Sequence, residues 1–179
     1  MIDDHVGIAA SGLLSDARVL IEYARQEAQT HKLLYDEPID VELLTKRISD
    51  LKQMHTQYGG VRPFGAALIV GGVDKHGPRL FQTDPGGIYF GFYAVAMGAE
   101  SSRITEFLEK EYKYDMNLDE CVKLAIRALS LVLEAPPEPD RLEIGVVDVK
   151  TRLFRKLTTD EISKYLQEVK GSSSQAQSS

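Results

Sequence analysis

Residues 64–70 (FGAALIV) form the most constraining segment of the sequence, because they are small or apolar at every position. A strand without a polar face has to be covered on both sides, so this pattern predicts a strand between two layers of structure. The chain of 179 residues is long enough to build such layers around one core. We expect Gly71 and Gly72 to end the strand.

Two amphipathic helices precede this strand and can cover one of its faces. Ser15 or Asp16 is the expected cap of the first helix, and Pro38 is expected in the first turn of the second. Before them, residues 6–10 form a predicted strand. The apolar stripes of the two helices are Ala17, Leu20, Ile21, Ala24 and Ala28, and then Val41, Leu44, Ile48 and Leu51.

The middle of the chain is predicted to be β structure. Residues 79–81 and 88–97 are predicted strands on either side of a turn at residues 84–87 (DPGG), with a bend at Gly91. Ser101 or Ser102 is then expected to cap a third helix.

The last third is predicted to hold two more helices around a hairpin formed by residues 144–147 and 153–154. Asn117 with Glu120, and Thr158 with Glu161, have the spacing of capping boxes. The predicted stripe of the fourth helix is Val122, Ala125, Ile126, Leu129 and Leu133, and Pro136-Pro137 is expected to end this helix.

This order of elements predicts an α/β (α+β) fold, a four-layer α/β/β/α sandwich in which helix pairs flank a β core. We expect one domain over residues 1–170. Residues 171–179 (GSSSQAQSS) have nothing to bury and are predicted to be a flexible tail.

Charge and composition exclude several classes of function. The net charge of −6 disfavours nucleic acid and anionic membranes as partners. The single cysteine, Cys121, cannot form an internal disulfide, which is typical of a reducing compartment. The sequence has no apolar run of membrane-spanning length and no signal peptide, so we expect a soluble, cytoplasmic protein.

No motif predicts a catalytic, metal or cofactor site. The four histidines are scattered outside any zinc-binding spacing. The glycines of residues 71–77 lack the ending of a phosphate-binding loop, and residues 98–102 do not form the serine motif of hydrolases. Cys121 lies beside an apolar helix stripe, where a packed thiol is the simpler interpretation. We therefore expect no catalytic residue, no metal and no cofactor.

Several blocks of the sequence resemble the α-type subunits of the 20S proteasome in their archaeal form. The resemblance extends from about residue 2 to residue 169, and residues 58–65 (YGGVRPFG) carry its most specific part. The other blocks are residues 10–18 (ASGLLSDAR), 56–57 (TQ), 72–74 (GVD), 77–81 (GPRLF), 84–87 (DPGG) and 105–112 (TEFLEKEY).

The resemblance implies a sandwich of the N-terminal-nucleophile-hydrolase type and a non-catalytic role, since the catalytic members of the family are the β subunits with an amino-terminal threonine. It also implies a heptameric ring with other α subunits, contact with β subunits, control of substrate entry and docking of a regulatory ATPase or cap. Gly12 and Leu13 match part of the family's docking pocket. The matching structural motif consists of Tyr58, Gly59, Gly60, Arg62, Pro63, Phe64 and Gly65.

Members of the family carry several dozen further residues before the point that matches Met1, including the gate segment and the pocket lysine. We therefore expect a truncated chain that assembles abnormally and shields an open sheet edge by a dimer or by strand exchange. Two alternatives remain open at this point. One is an assembly or adaptor paralogue, and the other is an amidohydrolase of the same fold that uses Cys121 or a serine.

Overall fold

A computed structural model describes residues 1–133, 135 and 137–176, with side chains up to residue 171. The chain divides into two compact units. The first consists of Met1–Gly98 and Val147–Arg155, and the second of Ala99–Val146 and the chain from Lys156 onward. The single domain expected over residues 1–170 stays a prediction.

The first unit is a four-stranded antiparallel sheet with two helices against one face. Its strands are β1 (Val6–Gly12), β2 (Ala66–Asp74), β3 (Gly77–Thr83) and β4 (Tyr89–Gly91), in the spatial order β1-β2-β3-β4. Helices α1 (Leu14–Tyr35) and α2 (Val41–Gln57) bury their predicted stripes in a core with strands β1 to β3. The fully buried core residues include Val6, Leu20, Ala24, Val41, Leu44, Ile48, Leu68 and Val70.

Strand β2 differs from its prediction in position and in burial. It begins at Ala66 rather than at residue 64, and it continues through Gly71 and Gly72 to Asp74. Gly72 lies within the strand instead of ending it. The close approach of the neighbouring backbone requires a glycine there, because a Cβ would lie 2.6 Å from the His5 carbonyl oxygen. From Ala66 to Gly71 the residues alternate between buried and half-buried, and the last three residues of the strand are all buried. The face towards α1 and α2 is therefore covered along the whole strand, and the other face only at its end.

Helix α2 begins three residues after Pro38, the residue expected in its first turn. The carboxylate of Asp74 explains this boundary, since its Oδ2 accepts a hydrogen bond from the Val41 backbone N–H at 3.0 Å. Asp40 occupies the N-cap position without a side-chain cap bond. The end of β2 therefore determines where α2 begins.

The strand predicted over residues 88–97 is mostly wrong. Only Tyr89–Gly91 pairs with β3, and the DPGG turn before it is confirmed. The Phe92 N–H still donates to the Leu80 carbonyl oxygen at 2.9 Å, after which the chain leaves the sheet. Periodicity alone cannot show where a strand loses its hydrogen-bonding neighbour.

The second unit is mainly helical. It contains α3 (Ser101–Glu111), α4 (Leu118–Ser130), a short 3₁₀ turn (Pro139–Arg141) and α5 (Thr159–Ala176). The strands β5 (Gly145–Val147) and β6 (Phe154–Lys156) pair with each other and confirm the predicted hairpin. Its core consists of Val122, Ile126, Val146, Leu157, Ile162, Leu166 and Val169.

The helix ends test the predicted caps. Both capping boxes are present, at Asn117 with Glu120 and at Thr158 with Glu161. The predicted serine cap of α3 is wrong, because Glu100 takes the N-cap position with a left-handed backbone, φ +59°, and no side-chain cap bond.

The stripe of α4 is only partly confirmed. Val122 and Ile126 are buried, but Ala125, Leu129 and Leu133 are exposed, and Leu124 and Ala128 are buried in their place. The helix ends at Ser130, and Pro136 lies outside the described residues. Helix α5 reaches Ala176, within the segment that the sequence assigns to the tail, and residues 177–179 lie outside the described part.

We expect the substitution Asn117→Ala to lower the free energy of unfolding by about 1 kcal/mol, because the side chain accepts the Glu120 N–H at 3.0 Å. Urea titration followed by circular dichroism measures this loss. Asp115→Ala, in the exposed turn before the helix, is the matched control and should change little. Equal losses for the two variants would contradict the assigned cap.

Candidate functional site

The turn between β1 and α1 holds the two residues that the resemblance assigns to a docking pocket. Gly12 has φ +102°, and a Cβ at this position would lie 2.3 Å from the Gly65 carbonyl oxygen. The Leu13 N–H donates to that same oxygen at 2.8 Å. Residue 12 therefore has to be glycine, since both its backbone conformation and the close approach of residue 65 exclude a side chain.

The Leu13 side chain packs over Gly65 and stays half exposed. A Cβ on Gly65 would lie 2.6 Å from Leu13 Cδ1, while 51% of the Leu13 surface remains accessible. Leu13 is also the N-cap residue of α1, and its carbonyl oxygen accepts the Ala17 N–H at 3.0 Å. The turn thus exposes an apolar side chain, while hydrogen bonds from the Leu13 N–H and to the Leu13 carbonyl oxygen hold its backbone in place.

Asp16 links this turn to the YGGVRPFG motif. Its two carboxylate oxygens accept hydrogen bonds from Arg62 Nη1 and Nη2 at 2.6 and 2.7 Å, and Oδ2 also accepts the Gly65 N–H at 2.7 Å. A planar guanidinium that binds both oxygens of a carboxylate fixes orientation as well as distance. The structure therefore brings together Gly12, Leu13, Arg62 and Gly65 around one carboxylate.

Hydrogen bonds lower the pKa of Asp16 to about 2, with the largest contribution from Arg62 and the next largest from the Gly65 N–H. Asp16 lies in the first turn of α1, where a negative charge also interacts favourably with the helix dipole. The predicted cap at Ser15 or Asp16 is wrong, because the carboxylate is directed to a partner 46 residues away.

The other residues of the YGGVRPFG motif do not bond to Asp16. Tyr58 is largely exposed, and Gly59 and Gly60 lie in open space. The Pro63 carbonyl oxygen accepts a bond from Arg62 Nη1 at 3.0 Å, and Phe64 is buried with its ring 4.5 Å from that of His55. Their roles in the motif stay predictions.

A buried lysine supports the strand behind the turn, and the sequence analysis did not identify it. Lys52 has no exposed surface, and its Nζ donates to the Ala66 carbonyl oxygen at 2.9 Å, to Thr83 Oγ1 at 2.6 Å and to the Asp84 carbonyl oxygen at 3.1 Å. Ala66 is the register partner of Gly12. Desolvation lowers the pKa of Lys52 to about 8, although the charge of Asp84 acts in the opposite direction.

Cys121 lies half-buried in α4, and burial, together with the nearby charge of Glu120, raises the pKa of its thiol. Such a thiol stays protonated near neutral pH and is not an activated nucleophile.

Within the described residues, His, Cys, Asp and Glu side chains form no group that could hold a metal ion. None of the helices among the described residues is long and apolar enough to cross a bilayer.

The pKa of Asp16 leads to a pH-dependent prediction. A carboxylate whose pKa is lower in the folded state stabilises the fold above its unfolded value of 3.8, and this stabilisation is lost as the pH falls towards about 2. We expect Asp16→Asn to lower the free energy of unfolding at pH 7 and to flatten its decrease between pH 4 and pH 2. Urea titrations across this range measure both effects. An unchanged acid slope would contradict the Asp16–Arg62 pairing.

The comparisons with known proteins identify a family for this chain. A family model described as proteasome subunit matches residues 1–147. The proteasome subunit alpha of Pyrobaculum aerophilum is 52% identical over 166 residues, which cover 93% of this chain and 68% of the relative. For Saccharolobus solfataricus the identity is 50% over 171 residues, covering 94% and 71%, and for Pyrococcus horikoshii it is 51% over 168 residues, covering 94% and 64%.

These matches confirm the predicted α+β fold class and the resemblance stated for the sequence. The chain spans about two thirds of the length of these relatives. The relatives are α subunits, which are the non-catalytic members of the proteasome core, so the amidohydrolase alternative is set aside. The chain belongs to the proteasome subunit family, and within it to the non-catalytic α type.

Proposed function

We propose that this chain is a structural α subunit of a 20S proteasome core and that its β1–α1 turn forms part of a docking site for a regulatory ATPase or cap. Family membership supports assembly with other α subunits and with β subunits. Control of substrate entry and a cytoplasmic location are further expectations of the same account.

The half-exposed Leu13 on a fixed backbone is the observation that carries the docking proposal. Gly12 permits the close approach of Gly65, and Asp16 and Arg62 hold the two segments together. A binding surface of this kind loses little conformational entropy when a partner docks, because its backbone is already ordered. The backbone N–H groups at the start of α1 also favour a negatively charged group nearby, such as a carboxyl terminus.

Docking can be tested on the complex formed with an archaeal proteasome β subunit. A fluorescent peptide with the C-terminal sequence of an archaeal proteasomal ATPase is titrated with the complex, and binding is followed by anisotropy. We expect Leu13→Glu to weaken binding at least tenfold, because it places a negative charge where the carboxyl terminus docks.

The matched control is Leu33→Glu, which introduces the same charge at an α1 leucine that is 85% exposed. This variant should bind the peptide as the parent complex does. Binding that is equally strong for both variants would reject the docking role of the turn. Failure to associate with the β subunit at all would instead favour the adaptor alternative.

A further inference from the structure

Strand β2 begins beyond the end of its neighbour β3. Because Gly65 bonds towards β1, the backbone groups of Ala66 are directed to the other side, towards β3. The register pairs Leu68 with Thr83, so the position opposite Ala66 falls to Pro85, which lies in the DPGG turn and has no backbone N–H. Ala66 is fully buried, so its carbonyl oxygen needs a donor from elsewhere.

Lys52 supplies this donor from helix α2. Its Nζ donates to the Ala66 carbonyl oxygen at 2.9 Å, to Thr83 Oγ1 at 2.6 Å and to the Asp84 carbonyl oxygen at 3.1 Å. An ammonium group has three N–H donors, and these match the three acceptors. The lysine therefore takes the place of a strand partner where β3 has ended.

The segment that Lys52 holds adjoins the β1–α1 turn. The Gly65 carbonyl oxygen accepts the Leu13 N–H at 2.8 Å, and the Gly65 N–H donates to Asp16 Oδ2 at 2.7 Å. Peptide bonds are planar, so only the two backbone dihedral angles of Ala66 separate the Gly65 carbonyl from the carbonyl that Lys52 binds. A shift of the second carbonyl therefore moves the first.

We propose that Lys52 is a positioning residue for the docking turn, and that its charged ammonium holds the Gly65 carbonyl where it accepts the Leu13 N–H. This inference rests on the docking function proposed above. When the ammonium loses its proton, the bond to Ala66 joins two uncharged groups, and such bonds are about half as strong as charge-assisted ones. The neutral lysine therefore holds the turn less firmly, and Leu13 is less well ordered for a partner.

The surroundings of Lys52 place this loss of charge in a mildly alkaline range. Desolvation lowers the pKa of Lys52 to about 8, and the charge of Asp84 opposes this by favouring the protonated form. Other titratable or charged groups on the elements around Lys52 are His55 in α2, Tyr89 in β4, Asp16 in α1 and Arg62 before β2. These groups stay in place in a Lys52 variant, so a variant separates their titration from that of the lysine.

The Leu13 amide signal in proton–nitrogen NMR spectra of the 179-residue chain reports the bond to Gly65. From pH 7 to pH 9 this signal should shift with a midpoint near pH 8. Lys52→Arg keeps its charge throughout this range, so its Leu13 signal should stay constant. The Cys121 amide, which bonds to the Asn117 carbonyl oxygen in α4, is the control within the same spectra and should not follow the transition.

Two results would overturn the proposal. One is a Leu13 signal without a transition near pH 8, and the other is the same transition in Lys52→Arg. If Lys52→Arg does not fold, Lys52→Met provides the same comparison, because a methionine has no proton to lose.

Peptide binding by the complex with the β subunit extends the test to docking. The affinity of the parent complex should decrease about fivefold from pH 7 to pH 9, and Lys52→Arg should not show this decrease. An equal decrease in both complexes would contradict the positioning role. A parent complex that fails to bind the peptide at pH 7 would reject the docking function itself, and the NMR transition then decides the structural role of Lys52 separately.

Discussion

The substitution Gly12→Ala should destabilise the chain by roughly 2–5 kcal/mol. A left-handed backbone costs an alanine about 1–2 kcal/mol, and forcing a methyl group against a packed backbone adds about 1–3 kcal/mol. The added Cβ would lie 2.3 Å from the Gly65 carbonyl oxygen, which belongs to the backbone and cannot rotate away. Urea titration measures the loss, and peptide binding by the assembled complex should decrease with it.

Gly60 provides the matched control. It also has a positive φ, +86°, but a Cβ there meets no atom within 4 Å. Gly60→Ala should therefore show only the backbone cost of about 1–2 kcal/mol. If both variants lose the same stability, the approach of residue 65 is not what requires glycine at residue 12.

The substitution Lys52→Met is the second change with a large expected effect. It leaves the oxygens of Ala66, Thr83 and Asp84 without their buried donor, and each unmatched group costs about 1–3 kcal/mol. We expect a total loss of about 3 kcal/mol or more, measured by urea titration at pH 7. Methionine keeps the length of the side chain, so the loss reports hydrogen bonding rather than an empty cavity.

Lys46→Met is the control on the same helix. The Lys46 ammonium is exposed and pairs with Asp50 one turn away, so its removal should change stability little. A loss as large as that of Lys52→Met would contradict the specific role given to the buried lysine.

The pH dependence of Lys52 has the same sign as that of Asp16 but falls in an alkaline window. Its pKa is about 8 in the folded chain and 10.5 in the unfolded one, so between these values the unfolded state binds more protons. The contribution of Lys52 to the free energy of unfolding therefore rises with pH across this window. Lys52→Met should lose this rise, and a parallel pH profile for the two proteins would contradict the lowered pKa.

The sequence predicted the features that depend on neighbouring residues. The capping box at Asn117 needs only a partner three residues away, and the buried stripe of α1 follows from helical spacing. Both are fixed by backbone geometry within one or two turns, so a local pattern is sufficient to find them.

The features that the sequence analysis missed depend on partners far along the chain. Asp16 has the residue type and place of a helix cap, and nothing nearby shows that Arg62 will bind it instead. Lys52 did leave a signal, because it lies four residues after Ile48 on the buried stripe of α2. A lysine at such a position is expected to find several acceptors, which identifies a buried site without locating its partners.

The turn that we propose for docking was identified only through resemblance. Composition and spacing do not distinguish Gly12 from other glycines before a helix, since its role depends on Gly65 in another segment. The motif YGGVRPFG and the turn ASGL are distant in sequence, and the Asp16–Arg62 pair explains why they belong to one structural element.

Native mass spectrometry of this chain after co-expression with an archaeal proteasome β subunit tests the central claim most directly. The account predicts a complex that contains both subunits, with a mass that corresponds to several copies of each. A chain that remains free of the β subunit, whether as a monomer or as a dimer, would contradict its assignment as a structural α subunit of the proteasome core.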